Sequence, residues 1–269
     1  MPVASLYLLA LTTDTSTFLN SLRSSRTVIV SSRPRHAVIR PTVLDQDILT
    51  KTPWDLLVLI QPPSDSPPIP STLQSQIKTQ YHVTVGIPSK LLATYASRDE
   101  SLKRTASSVP LTGSLDQARS KPTSQSLELS PDLLNFMDKL TPQHSGPVTM
   151  LNLLHFNHPN GKKSYYQYGQ SFIPVAGKRG GDAKIVGNVV KPKSGTANAV
   201  DSRGNWERKE EDWWNEISIV HYPSIRHFCD MLAGEDYQEI NEKYRLSALK
   251  DTFLLCTTEF DVEGASSKL

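Results

Sequence analysis

The chain has 269 residues, 38% of them hydrophobic and 21% charged, with a formal net charge of +2. That length admits one large or two small domains, and the near-neutral balance gives no electrostatic reason to expect nucleic acid or an anionic membrane surface as a partner. Its two cysteines, Cys229 and Cys256, are too few for a disulfide framework and lack paired metal-ligand spacing, so neither a metal nor a cofactor is expected.

The first apolar run, Leu6 to Leu11, is short for a signal-peptide core and has no basic flank, which predicts a strand. Strands are expected over 27–43 and 54–61, then a helix near Leu73 to Gln80 and a strand from His82 to Gly86. Arg33, Arg35 and Arg40 form a small basic stretch without interleaved aromatics, which reads as a solvated strand edge. No apolar segment approaches the roughly 20 residues of a membrane helix, so a soluble protein is expected.

Residues 97–128, rich in Ser, Thr and Lys with little periodicity, read as a mobile linker between a first half, 1–96, and a second, 129–262. Ser130-Pro131 supplies an N-cap and a first helical residue for a helix over Asp132 to Leu140. Beyond it come a strand over Val148 to Phe156 and a helix over Ser164 to Lys178, with Tyr165, Tyr168, Phe172 and Val175 at helical spacing. Gly180-Gly181 act as its stop; without a P-loop pattern, Lys178-Arg179-Gly180-Gly181 is not a phosphate loop. A strand over Ala183 to Val190, a polar insert from Lys191 to Glu211 and a strand over Trp214 to His221 follow. Pro223-Ser224 open a helix carrying Ile225, Phe228, Met231 and Leu232 on one face, and Phe253 to Thr258 is the last strand.

The two halves echo each other. Pro2 to Leu9 aligns with Pro147 to Leu154 at an offset of 145, and five of those eight positions are identical. Trp54-Asp55 and Pro63-Ser64 likewise echo Trp214-Asn215 and Pro223-Ser224 at an offset of 160. Each half then reads as strand, helix, strand, strand, helix, strand.

The last three residues, Ser267-Lys268-Leu269, follow the small, polar Gly264-Ala265-Ser266 and match the peroxisomal address read by an import receptor. Residues 263–269 are therefore expected to be a targeting tail, the import receptor a partner, and the peroxisomal matrix the location.

The second half carries a resemblance. Val148 to Phe156, the Tyr-rich helix, Gly180-Gly181, Tyr222-Pro223-Ser224, Tyr237 and Arg245-Leu246-Ser247-Ala248 occur in an order similar to an uncharacterised, domain-of-unknown-function family of the dimeric α+β barrel superfamily, most similar to its fungal members. The resemblance spans roughly Ser130 to Phe260; the first half lacks the glycine pair and the Arg-Leu-Ser-Ala segment. It implies an α+β fold of ferredoxin-like βαββαβ units. With the repeat, it leads to the expectation of two such halves closing an intrachain dimeric α+β barrel. The superfamily spans cofactor-independent oxygenases, isomerases, decarboxylases and haem-handling proteins, so fold alone does not choose an activity.

Strand alternation nominates a site. Asn152, Lys184, Trp214, Glu216 and Ser218 are expected on the sheet face opposite the helix-packed Leu and Ile residues, converging on the barrel interior. There Glu216 suits a general base, Lys184 its charge partner or an anion stabiliser, and Asn152 a donor to a developing enolate; the alternative is a structural ion-pair cluster. Tyr168 suits a pocket mouth or ordinary core packing, and strand ends place His155 and His221 near each other, while His158 and Arg245 read as an exposed loop residue and a helix-dipole partner. The expected function is a peroxisomal, cofactor-independent enzyme on a small apolar acyl or aromatic substrate, acting by proton transfer, lyase or oxygenase chemistry. The alternative is a non-catalytic ligand-binding or interaction protein; a Glu216 exposed on an outer face, or packed beneath a helix, would count against the barrel-interior site and favour it. A further homodimer is compatible with either.

Overall fold

The computed structural model describes residues 1–61, 66–192, 201–204 and 209–263. Ser267-Lys268-Leu269, expected to be a targeting signal, and most of the polar insert lie outside them. The first half contains β1 (Val3–Leu11), α1 (Thr15–Arg23), β2 (Thr27–Ile39), α2 (Gln46–Lys51), β3 (Leu56–Gln61) and β4 (Ile77–Gly86). Helices α3 (Ser89–Thr105) and α4 (Pro131–Leu140) lead to β5 (Val148–Phe156), α5 (Gly161–Gly177), β6 (Asp182–Val189) and β7 (Glu216–Tyr222). The chain then forms α6 (Ile225–Ala233), α7 (Glu235–Ile240), a π-helical turn Asn241–Arg245 and β8 (Leu249–Glu259).

The eight strands are antiparallel and close into one barrel in the order β1-β3-β2-β8-β5-β7-β6-β4. Within it, β4-β1-β3-β2 and β8-β5-β7-β6 repeat the same fourth-first-third-second arrangement, so the expected α+β barrel of two sheets is formed by a single chain. The aligned positions Val3 and Val148 begin β1 and β5, and Leu56 and Glu216 begin β3 and β7. The sheets join through β2 with β8 and, more sparely, through Val85 with Val189 and Gly86 with Asn188. Gly187 makes the second seam close: a Cβ there would meet the Val85 side chain at 2.5 Å.

Every residue of β5 is buried, as is most of β1, because one face lines the barrel and the other meets helix or loop. That explains their near-continuous apolar runs. The interior is packed with apolar side chains: Leu6, Leu8, Leu57 and Leu59 from one sheet meet Leu151, Leu153, Ile217, Ile219 and Phe253 from the other. The Leu and Ile residues assigned to the helix side therefore face inward, which corrects the expected polarity of the sheet.

The outer faces differ. In the first half Tyr7, Leu9, Leu56, Val58 and Ile60 are filled in by Phe18, Leu19 and Leu22 of α1. The helix expected over 73–80 is a short 3-10 turn, Ser71–Gln76, and β4 starts at Ile77. In the second half α5 and α6 cover the sheet, with Ser224 capping α6 by accepting from the His227 amide.

The segment from Ser97 onward is not the mobile linker expected. α3 runs through Thr105, and Thr112 and Leu115 then donate to the buried Asp230 carboxylate of α6. The helix stop at Gly180-Gly181 is as read: Gly180 has φ +70 and the Gly181 amide bonds Ala176 O at 2.8 Å. The neighbouring Arg179 is buried in ion pairs with Asp230 and Asp236. Among the described residues no helix is long and apolar enough to cross a membrane.

Candidate active site

Between the outer face of the second sheet and α5 lies a cavity of about 470 Å³. Its floor is the outward-facing row of three strands: Met150, Asn152 and Phe156 of β5, Glu216, Ser218, Val220 and Tyr222 of β7, and Ala183 and Val186 of β6. Its roof is α5, through Tyr165, Tyr168, Gly169 and Phe172, with the largely exposed Tyr166 and Ile173 at the rim. Arg98 of α3 and Asp182 of β6 pair at 2.6 Å on its wall. Helical spacing in α5 thus supplies an aromatic roof, the pocket role of Tyr168 that the sequence left open beside core packing.

Asn152 and Ser218 are directly paired across β5 and β7, which puts their Cα atoms about 5 Å apart. Glu216 follows two positions along the same face. One Asn152 amide hydrogen goes to Met150 O at 3.3 Å, leaving the group a second hydrogen to donate. The Glu216 carboxylate accepts no hydrogen bond from any described residue. Burial pushes it up from 4.5 to about 7, opposed only by the ammonium of Lys162 nearby. Tyr165 lies within electrostatic range of Glu216; burial first, then the charges of Tyr168 and Glu216, raise its phenol far above the ordinary value, against the pull of Arg245.

Of the residues nominated from sequence, Glu216, Asn152, Ser218 and Tyr168 meet in this cavity, but on the helix-facing side and not inside the barrel. Lys184 does not join them. The register slips between Ala183 and Ile185, so a bulge turns Lys184 away from the Glu216 face. Its ammonium, on a side chain with no exposed surface, bonds the carboxylates of Asp99 and Glu259. Lys103 completes the cluster, reaching Asp99 at 2.5 Å, Glu259 at 2.6 Å and Asp261 at 2.7 Å. Asp99, Glu259 and Asp261 stand close enough together to hold a cation, and the two lysine ammoniums already fill that role.

Trp214 precedes β7 and escapes its alternation. It packs in the barrel interior and donates from Nε1 to the Tyr81 hydroxyl at 2.8 Å, which in turn donates to Asp45 at 2.7 Å. His155 also faces inward, edge-on to Trp214, with Nε2 at 2.8 Å from Glu211 O. His221 pairs with Thr149 at the opposite end of β5, so six residues of strand, about 20 Å, separate the two histidines expected to meet. Burial and then the Lys184 charge lower His221 from 6.5 to about 3, which keeps its ring neutral.

Sequence reading underestimated Arg245. It closes the π-helical turn, lines the cavity and is 3% exposed, yet no described residue accepts a hydrogen bond from its guanidinium. Its place in the Arg-Leu-Ser-Ala segment was the available signal.

No family model matches the chain, and no curated protein matches it. Among solved structures it is similar to a protein of unknown function from Rhodopseudomonas palustris, with 25% identity over 44% of this chain and 89% of that one and a TM-score of 0.33. It is also similar to a candidate monooxygenase from Lactobacillus acidophilus NCFM, at 7% identity over 96% and 93% of the two chains with a TM-score of 0.46. A candidate monooxygenase from Fusobacterium nucleatum follows at 8% identity, 95% and 91% coverage and a TM-score of 0.40. None of these likenesses assigns an activity.

Proposed function

We propose that the chain is an enzyme that moves a proton at an activated carbon of a small, mostly apolar substrate, with Glu216 as the base. The observation that carries this reading is a half-buried carboxylate, free of hydrogen bonds from the described residues, facing a cavity of ligand size. A base held near neutrality combines the deprotonated form with useful basicity at physiological pH. Glu216 would take a proton from carbon beside a carbonyl, the electron pair passing to the carbonyl oxygen. Asn152 and the Ser218 hydroxyl, neighbours on the same floor, are the donors suited to that oxygen. Return of the proton to another carbon completes an isomerisation without a co-reactant; loss of carbon dioxide in place of the proton would generate the same carbanion, which then takes up a proton, as in a lyase, and addition of dioxygen to the carbanion with uptake of the proton would give a hydroperoxide, as in an oxygenase. No bound cofactor is needed for the proton step. The first half, with Tyr7 and Leu56 at the positions aligned with Asn152 and Glu216 and its outer face filled, would serve as scaffold.

Import into peroxisomes through Ser267-Lys268-Leu269 is part of the same proposal and rests on the tripeptide alone.

The second reading, a small-ligand carrier, draws on one observation: Glu216 lies beneath α5 in a largely apolar chamber. Solvent-deuterium incorporation into a panel of small 1,3-dicarbonyl compounds and aromatic 2-oxo acids separates the two. The enzyme reading expects exchange into at least one compound with the native chain and a loss of at least a hundredfold in Glu216→Gln. Binding of these compounds with no exchange above the Glu216→Gln rate supports the carrier.

A further inference from the structure

Arg245 sits at the end of the π-helical turn Asn241–Arg245, an i to i+5 winding that recurs where a side chain must be re-aimed at a functional site. Its Nη2 is fully buried without a hydrogen-bond partner. Of the two acids lining the cavity with it, Asp182 is engaged by Arg98. What surrounds the guanidinium electrostatically is a group of buried phenols, Tyr165, Tyr168, Tyr222 and Tyr237, the first three lining the cavity.

Arg245 and Glu216 line the same chamber without pairing. The electrostatic surroundings of Glu216 contain Lys162 and not Arg245, whereas Tyr165 senses both. Among the described residues no ion pair joins the two, and Tyr165 feels the charge of both. A buried guanidinium left uncompensated is costly, and the group that compensates it best is a planar anion able to take two parallel N–H donors.

We propose that the cavity takes a small apolar carboxylate, its anionic end held by Arg245 and its hydrocarbon or aromatic body laid along Met150, Phe172 and Tyr165 toward Glu216. This deepens the proposed function and rests on its reading of the cavity as the substrate site. An uncharged ester or ketone of the same shape would leave the guanidinium unpaired, so the arginine selects free acids over their neutral analogues.

The test uses the full chain and three probe pairs: benzoate, 3-phenylpropanoate and hexanoate, each against its primary amide, titrated calorimetrically. At least one acid should bind ten times more tightly than its amide. Arg245→Gln should remove that preference, while Glu216→Gln should keep or sharpen it by removing a like charge. Should Arg245→Gln not fold, Arg245→Lys keeps the charge without the planar fork; it should weaken the acid at least threefold and leave the amide unchanged. Equal affinity of every acid and its amide for the native chain overturns the proposal. So does a preference that survives Arg245→Gln, or equal weakening of acid and amide by Arg245→Lys. The outcome is separable from the proton-transfer reading. Deuterium exchange that depends on Glu216 without any carboxylate preference would sink this inference alone, and carboxylate preference without exchange would sink the enzyme alone.

Discussion

Lys184 and Glu216 stand on adjacent strands of one sheet and point to opposite sides of it. Lys184 turns to Asp99 and Glu259, and Glu216 turns outward beneath α5. The extra residue between Ala183 and Ile185 separates them, and it divides the polar residues of the second half into a structural cluster and a cavity.

Glu216 should cost the fold stability above neutrality. Its carboxyl is raised from 4.5 to about 7 by burial, so between those values the folded chain holds a proton that the unfolded chain has released. Stability attributable to this group is complete below pH 4.5, falls as pH rises through the window, and is lost above 7. The displacement corresponds to about 3 kcal/mol. Glu216→Gln should therefore be more stable than the native chain at pH 8 by up to that amount and equal to it near pH 4. Urea unfolding at the two pH values checks this; a variant less stable at pH 8 contradicts it.

Lys184→Met should do the reverse. It removes a buried ammonium and leaves Asp99 and Glu259 sharing Lys103 alone, and breaking a buried pair in this way costs about 3–5 kcal/mol. Because Lys184 faces away from the cavity, ligand affinity of the folded variant should not change. Thermal unfolding and a titration with the best-binding carboxylate read the two effects separately. Lost affinity at unchanged stability would return Lys184 to the site.

His221 should make the fold acid-sensitive. Burial and the Lys184 charge lower it from 6.5 to about 3, so between those values the unfolded chain binds a proton that the folded chain refuses. Stability from this group is present above 6.5 and declines as pH falls toward 3. His221→Gln should flatten that acid limb, measured by unfolding between pH 4 and 7. An unchanged slope would show that the ring is not held neutral.

Removing Ser267-Lys268-Leu269 should leave folding intact and abolish organelle import. An N-terminal fluorescent fusion of the full chain should give punctate signal coincident with a peroxisomal marker, and the truncated fusion a diffuse one. Identical distributions would dismiss the address.

The elements of the second half were legible because their apolar runs and the Tyr165, Tyr168, Phe172 spacing have no competing reading. Alternation also grouped Asn152 with Met150 and Phe156, and Glu216 with Ser218, on one face. What alternation cannot state is which face meets the helices. Two Leu- and Ile-rich faces bury best against each other, so the barrel interior took Leu151, Leu153, Ile217 and Ile219, and the polar row went outward. Lys184 and Trp214 were misplaced for local reasons, a bulge and a strand that starts two residues later than expected. Arg245 was hidden by its π-helical turn, whose winding no helical periodicity marks.

The central claim is that Glu216 is a half-buried base poised near neutrality in an accessible cavity. Carbon-13 NMR of selectively labelled glutamate, with Glu216→Gln identifying the resonance, follows its carboxyl through a pH titration. The account predicts a midpoint near 7 that moves when Lys162 is replaced by Met, upward because a nearby cation is lost. A midpoint between 4 and 5, unmoved by that substitution, would contradict it.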